Sequence, residues 1–348
     1  MGGASAKPIV RIIAICALLI LCTQIIQAKT PPEDRYYDRA FSEIAAMLDG
    51  DSEVSVKRAS FLLEWAYLQG EPDYKAYCDS IASIARALEG FIILNGLYKN
   101  PIGRNMALFE FFSDPNPLNS YRPYTYDFDD FMGERDYSNF FATKLMRTHT
   151  GQCRSFPLFY KILADEIGAD VCIAYAPNHS YIKHPNGKGG WINVELTNHS
   201  LPRDVFIIET NGITQRAIET GIYTKPCGDR EIVISLLADL ADGYMRLYGY
   251  WPFVVECTEK VLEYDPDNLQ GLMQKNNYLY LKAASYARHL ASLNSPPDTR
   301  MNRLDAELKA VTDKITSLGY IDMPENLYND WIESLREETE RQQNTQNN

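Results

Sequence analysis

A chain of 348 residues, 45% of them apolar, is long enough to bury at least one large core and leads one to expect two or three structural units rather than a low-complexity or disordered polymer. Its 34 Lys and Arg against 46 Asp and Glu set a formal net charge of -12. An acidic surface repels nucleic acid and anionic lipid, so nucleic acid is excluded as an expected partner.

The chain opens with Lys7 and Arg11 ahead of an apolar run from Ile12 to Ile26, closed by Gln27 and Ala28 before the polar KTPPEDR. That layout predicts a signal peptide over residues 1–28, cleaved after Ala28, and hence an exported protein, periplasmic or extracellular. Cleavage takes the formal charge from -12 to -14, because Lys7 and Arg11 leave and no acid does. An uncleaved segment anchoring the chain in the membrane is the alternative. Lipidation at Cys22 is a further one, but no small residue precedes that Cys. No later apolar stretch reaches the roughly 20 residues that span a bilayer. Of seven cysteines, Cys16 and Cys22 lie in the signal segment, leaving Cys78, Cys153, Cys172, Cys227 and Cys257. An odd number leaves at least one thiol free or paired between chains. Cys78, Cys172 and Cys257 sit in apolar patterns and read as small buried hydrophobes. With no CxxC pair and no His/Cys cluster, neither metal nor cofactor is expected.

Residues 29–98 read as a helical region. YYDRAFSEIAAMLDG, SEVSVKRASFLLEWAYLQG and DYKAYCDSIASIARALEGFIILNG each stop at a Gly, and the second opens with a Ser cap. A core region over 99–228 follows. Between Asn100 and Tyr137 it is rich in Pro, Asn, Tyr and Asp and reads as a long irregular segment, whose tyrosines either line a cleft or pack the loop. From Thr150 the period becomes helical, with Phe156, Phe159, Tyr160, Leu163 and Ile167 on one stripe ending at Gly168. VCIAYAPNHSYIK and WINVELT then read as two strands around the turn HPNGKGG, and VFIIE, from Val205 to Glu209, as a third. Residues 229–338 are helical again; GYMRLYGYWPFVVECTEKVLEYDPDN is similar to a tetratricopeptide helical pair, and LQGLMQKNNYLYLKAASYA to the start of another. The ending, 339–348, reads as a disordered tail.

Cys153 stands behind Gly-Gln at the mouth of an apolar helix, among His149, Thr150, Gln152 and Arg154, which is a presented position rather than a packed one. A thiol becomes a nucleophile as thiolate, and a helix start supplies partial positive charge for it. Pro157 fits only the first turn, so Cys153 belongs at that turn or in the loop before it. A base is needed. His184 in the turn and His289 in the C-terminal helices read as solvated, whereas His179 lies on a strand that follows the Cys helix, with His149 as the alternative. Along WINVELT, Trp191, Asn193, Glu195 and Thr197 share a polar, wet face and Ile192, Val194 and Leu196 a core face. A hairpin centred on Gly187 sets Glu195 opposite His179; centred on Asn186 it selects Asn193; a two-residue turn on Asn186-Gly187 selects Val194. Gln152 and the Cys153 backbone N–H are the candidate oxyanion donors.

GQC, a helix, a strand carrying His, then W-x-x-x-acid-x-Thr resembles the core of the transglutaminase-like cysteine-enzyme superfamily, over roughly Ser113 to Glu209. The resemblance implies an α+β fold: a papain-type Cys, His, Asp order on a helix packed against an antiparallel sheet. The flanking helices are similar to those of a bacterial branch with a short core. It implies Cys153 as nucleophile, His179 as general base and acid, and Glu195 as the orienting acid, where the family has Asp. The Cys153–His179 gap is short for the superfamily. The expected function is hydrolysis of a peptide or carboxamide bond through an acyl-thioester, with peptides, cell-wall peptides or extracytoplasmic proteins as substrates. The alternative is a catalytically silent relative whose C-terminal helices bind a protein partner.

Overall fold

The computed structural model describes residues 35–322 except 131, 132 and 251, together with 333 and 337. The expected signal segment and C-terminal tail lie outside the described residues. The fold is α+β, mostly helical with two small sheets.

The N-terminal helices are α1 (Arg35–Asp49), α2 (Val56–Tyr67) and α3 (Tyr74–Leu94). Ser55 caps α2 by accepting from Arg58 N, three residues later than the first Ser of that stretch, and Asp73 caps α3 from Ala76 N. The segment expected to be irregular from Asn100 contains a further helix, α4 (Gly103–Ser113). Its run NMALFEFF buries Ala107, Leu108, Phe111 and Phe112, so tertiary packing holds it despite a weak amphipathic pattern. Next come β1 (Thr125–Tyr126), α5 (Ala142–Thr148), β2 (Thr150–Gly151) and α6 (Ser155–Glu166), with β1 and β2 paired in parallel.

Helix α6 is the central element, packed by α2, α3, α4 and α5. Phe156, Phe159, Tyr160 and Leu163 are fully buried, and each such apolar side chain contributes about 1.5–3 kcal/mol. Even Lys161 is 5% exposed, which its charge tolerates because Asp165 and Asp229 both lie 2.6 Å away. Against α6 also pack two strands of an antiparallel sheet of order β3-β4-β5: β3 (Cys172–Ala176) and β4 (His179–Pro185), with β5 (Trp191–Val194) beyond them.

The sheet departs from expectation in three ways. VCIAYAPNHSYIK is a hairpin rather than one strand: Pro177-Asn178 turns between β3 and β4, with Asn178 at φ 54°. His184 is therefore inside β4 and 5% exposed, not solvated. VFIIE is helical, within α7 (Asp204–Thr210), because the chain leaves the sheet after Val194 and closes on itself through paired Glu195–Ser200 backbone bonds. Asp204 is then pinned by Lys183 at 2.8 Å, and its charge suits a helix start.

The remaining helices are α8 (Gln215–Thr220), α9 (Asp229–Tyr248), α10 (Pro252–Tyr264), α11 (Leu269–Ser292) and α12 (Thr299–Ser317). Helix α9 packs on α1 and α2, with Tyr37 edge-on to Tyr244 at 5.1 Å, so it shares the core of the N-terminal helices. Among the described residues no helix is long and apolar enough to cross a membrane.

Candidate active site

The GQC turn is held by close packing. A Cβ at Gly151 would meet Ser155 Oγ at 2.5 Å and Leu145 Cδ1 at 2.9 Å, so only glycine lets β2 pass so near the start of α6. Ser155 Oγ accepts from Gln152 N at 2.9 Å and donates to Gln152 O at 3.2 Å. Arg154 is the N-cap position, which sets Cys153 one residue before it, and Pro157 falls in the first turn as its missing N–H requires. Cys153 is 8% exposed; its thiol donates to Asn178 O at 3.7 Å, and its carbonyl accepts from Ser180 Oγ at 2.6 Å. The entry to β4, from Asn178 to Ser180, is thereby fixed against the Cys loop.

His179 opens β4. Its Nε2 donates to Glu195 Oε2 at 2.5 Å, which leaves Nδ1 as the ring nitrogen available to sulfur, and the Cys153 side chain is its other hydrogen-bonding neighbour. Sulfur, imidazole and carboxylate thus converge, but not through the expected register. Ile182 pairs with Val194 and Lys183 with Asn193, so the hairpin is centred on Lys188 and the ladder, continued, sets Thr197 opposite His179. Glu195 reaches His179 as a diagonal neighbour, a span of roughly 7–8 Å between backbones that a long side chain can bridge. The extra methylene of Glu over Asp supplies that reach.

The electrostatics follow from this contact. Burial opposes a charge on His179, yet the Glu195 carboxylate and the Cys153 sulfur outweigh it and hold the imidazole pKa well above its ordinary 6.5. Burial likewise raises the Glu195 carboxyl, but His179 and the Thr197 bonds win, and its pKa is lowered. Glu195 Oε1 accepts from Thr197 N at 3.0 Å and Thr197 Oγ1 at 2.7 Å, so both carboxylate oxygens are committed. The site favours an imidazolium held between an oriented carboxylate and the Cys153 sulfur, the charge arrangement reached when His179 takes the thiol proton.

The other sequence candidates take different roles. His149 closes α5 at φ 60°, donates from Nδ1 to Arg122 O at 2.7 Å and stacks on Tyr124 at 4.3 Å, a packed residue rather than a base. Asn193 is 5% exposed and donates to Pro202 O and Asp204 Oδ1, so the face expected to be wet is covered there by the 200–204 segment. Gln152 is fully buried, and its side-chain amide donates to Asp130 O, so that amide is already engaged. Neither Ser180 nor Tyr126 stands out in the sequence. Ser180 carries no motif; Tyr126 is one of the tyrosines that suggested a cleft lining, and it does lie beside Cys153 and Glu195.

Among the described residues no group of three or more His, Cys, Asp or Glu side chains is placed to hold a metal ion. An open groove of about 820 Å³ lies elsewhere, lined by residues such as Ile84, Phe141 and Met146, and contains none of the three converging residues. No protein-family model matches the chain, and no curated protein or solved structure matches it.

Proposed function

We propose that the chain is an exported, transglutaminase-like thiol hydrolase that cleaves peptide or carboxamide bonds through an acyl-thioester, with Cys153 as nucleophile, His179 as base and acid, and Glu195 orienting the imidazole. The observation that carries this reading is the 2.5 Å His179–Glu195 hydrogen bond beside a thiol at the mouth of α6. His179 takes the thiol proton; Cys153 sulfur bonds the carbonyl carbon; the leaving amine departs with the proton held by His179; water then releases the acid by the reverse sequence. Export rests on the Lys7/Arg11 and Ile12–Ile26 layout, which makes extracytoplasmic peptides, including cell-wall peptides, the reachable substrates.

A second reading is a silent relative whose tetratricopeptide-like C-terminal helices dock a protein. It is favoured by the low exposure of Cys153 and by the Asn178 carbonyl that accepts its thiol. Iodoacetamide alkylation separates the two. An enzyme is expected to label Cys153 at neutral pH at least tenfold faster than a free thiol, with the excess lost in His179→Ala. Labelling of wild type at the free-thiol rate would sink the hydrolase and leave the scaffold.

A further inference from the structure

Attack of a thiolate on a carbonyl moves an electron pair onto oxygen, and removing one donor from the site that receives it costs roughly 10²–10³-fold in rate. Two such donors are normally needed. The Cys153 backbone N–H donates to no other described residue, so it is available as one. Gln152 is not the second, since its amide is turned to Asp130 O.

The β1–β2 pairing brings another group to the sulfur. Tyr126 pairs with Gly151, two residues before Cys153, and the register is locked by Thr125 N to His149 O and Asp127 N to Gly151 O, both 2.8 Å. Its ring is 8% exposed and braced edge-on by Phe128 at 5.0 Å. The phenol lies beside the Cys153 side chain, with Glu195 and Asp127 nearby. Burial first, and then these anionic neighbours, push the phenol far above its ordinary pKa, so it keeps its proton and remains a donor across the working range.

We infer that Tyr126 is a further catalytic residue, its hydroxyl donating together with the Cys153 N–H to the oxyanion that forms on the attacked carbonyl. This rests on the thiol-acylation reading above. In the step the sulfur–carbon bond forms and the carbonyl π pair moves to oxygen. The thiol proton resides on His179, and Tyr126 keeps its own proton throughout. When the tetrahedral species collapses, the π bond reforms and the amine leaves with the His179 proton.

Two probes separate this inference from the reading beneath it. Iodoacetamide reacts at a saturated carbon and forms no oxyanion; p-nitrophenyl acetate acylates through one. In Tyr126→Phe the p-nitrophenolate burst rate is expected to fall about 10²-fold while the alkaline plateau of alkylation is unchanged. A Tyr126→Phe burst as fast as wild type, with alkylation intact, overturns the inference and leaves the hydrolase standing. A wild-type protein that shows neither fast alkylation nor a burst overturns both. Should Tyr126→Phe fail to fold, 3-fluorotyrosine at 126 preserves the shape. Its more acidic phenol is a stronger hydrogen-bond donor, so the burst rate at neutral pH is expected to change while alkylation does not, and a burst rate equal to wild type overturns the inference.

Discussion

Glu195 shows how one methylene decides a site. Because it meets His179 diagonally, Glu195→Asp is expected to lose the 2.5 Å contact even though the charge is kept. Substituting the acid that the resemblance implies should therefore cost activity, by ~10²-fold or more in kcat/KM, since an imidazole without its orienting partner loses tautomer and position. Glu195→Gln tests the charge separately. The carboxylate raises the His179 pKa, so on the proposed function the alkaline limb of kcat/KM, where the general acid is lost, is expected well above pH 6.5 in wild type. In Glu195→Gln that limb moves to lower pH. A limb that stays in place would show that the carboxylate does not support the imidazolium. The identities of the three converging residues were legible in the sequence because Cys, His and an acid are chemically distinctive in order. Their contact was not legible in its detail, because the closing loop is longer than any turn weighed: Asn186 N donates to Gly190 O at 2.9 Å, and Gly187 and Gly189 both take positive φ.

At the scale of elements, α5 depends on a carboxylate from another helix. No side chain of its own caps it; instead Glu64 of α2 accepts from Ala142 N at 2.9 Å and Thr143 N at 3.2 Å. The favourable charge at a helix start is outweighed by complete burial, which raises the Glu64 pKa to about 7. A carboxyl with a folded pKa above its unfolded value takes up a proton on folding. Its stabilising linkage is full below pH 4.5 and is lost as pH rises through about 7, the reverse of a salt-bridged acid. That window corresponds to about 3 kcal/mol at 1.36 kcal/mol per pKa unit. Glu64→Gln keeps an acceptor oxygen and removes the titration. Urea midpoints followed from pH 4 to 8 are expected to show wild type falling relative to Glu64→Gln across that window; parallel curves would refute it. Elements with a strong internal pattern, such as α6, were readable from spacing alone. VFIIE was not, because β-branched and aromatic content suits a strand only where a neighbouring strand is available, and Glu195 and Ser200 have already closed the edge.

Across the whole molecule, the residue after Cys153 is tied to the C-terminal helices. Arg154 pairs with Asp239 of α9 at 3.0 Å, Asp239 accepts from Gln270 of α11 at 2.8 Å, and Gln274 of α11 donates to Asp242 at 2.7 Å. Asp239→Ala is expected to release the Arg154 end of the GQC turn. A displacement near 1 Å can cost about 10²-fold, so Cys153 alkylation should slow toward the free-thiol rate while Lys75→Ala, at an exposed side chain of α3, leaves it unchanged. In sequence the helices from residue 229 look separate from those before residue 98, since periodicity reports which face is apolar but not what covers it. In space α9 fills the groove left by α1 and α2, and Arg230 donates to Leu48 O at 2.7 Å across that junction.

The bond from Ser180 to the Cys153 carbonyl works as a latch between two parts of the fold that reach the sulfur independently. Helix mouth and sheet edge must drift together, so fraying of the outer strand leaves the sulfur-to-ring spacing untouched. Heating should then abolish thiol reactivity in the same transition that melts the helices, with no earlier phase in which the protein is intact but inert.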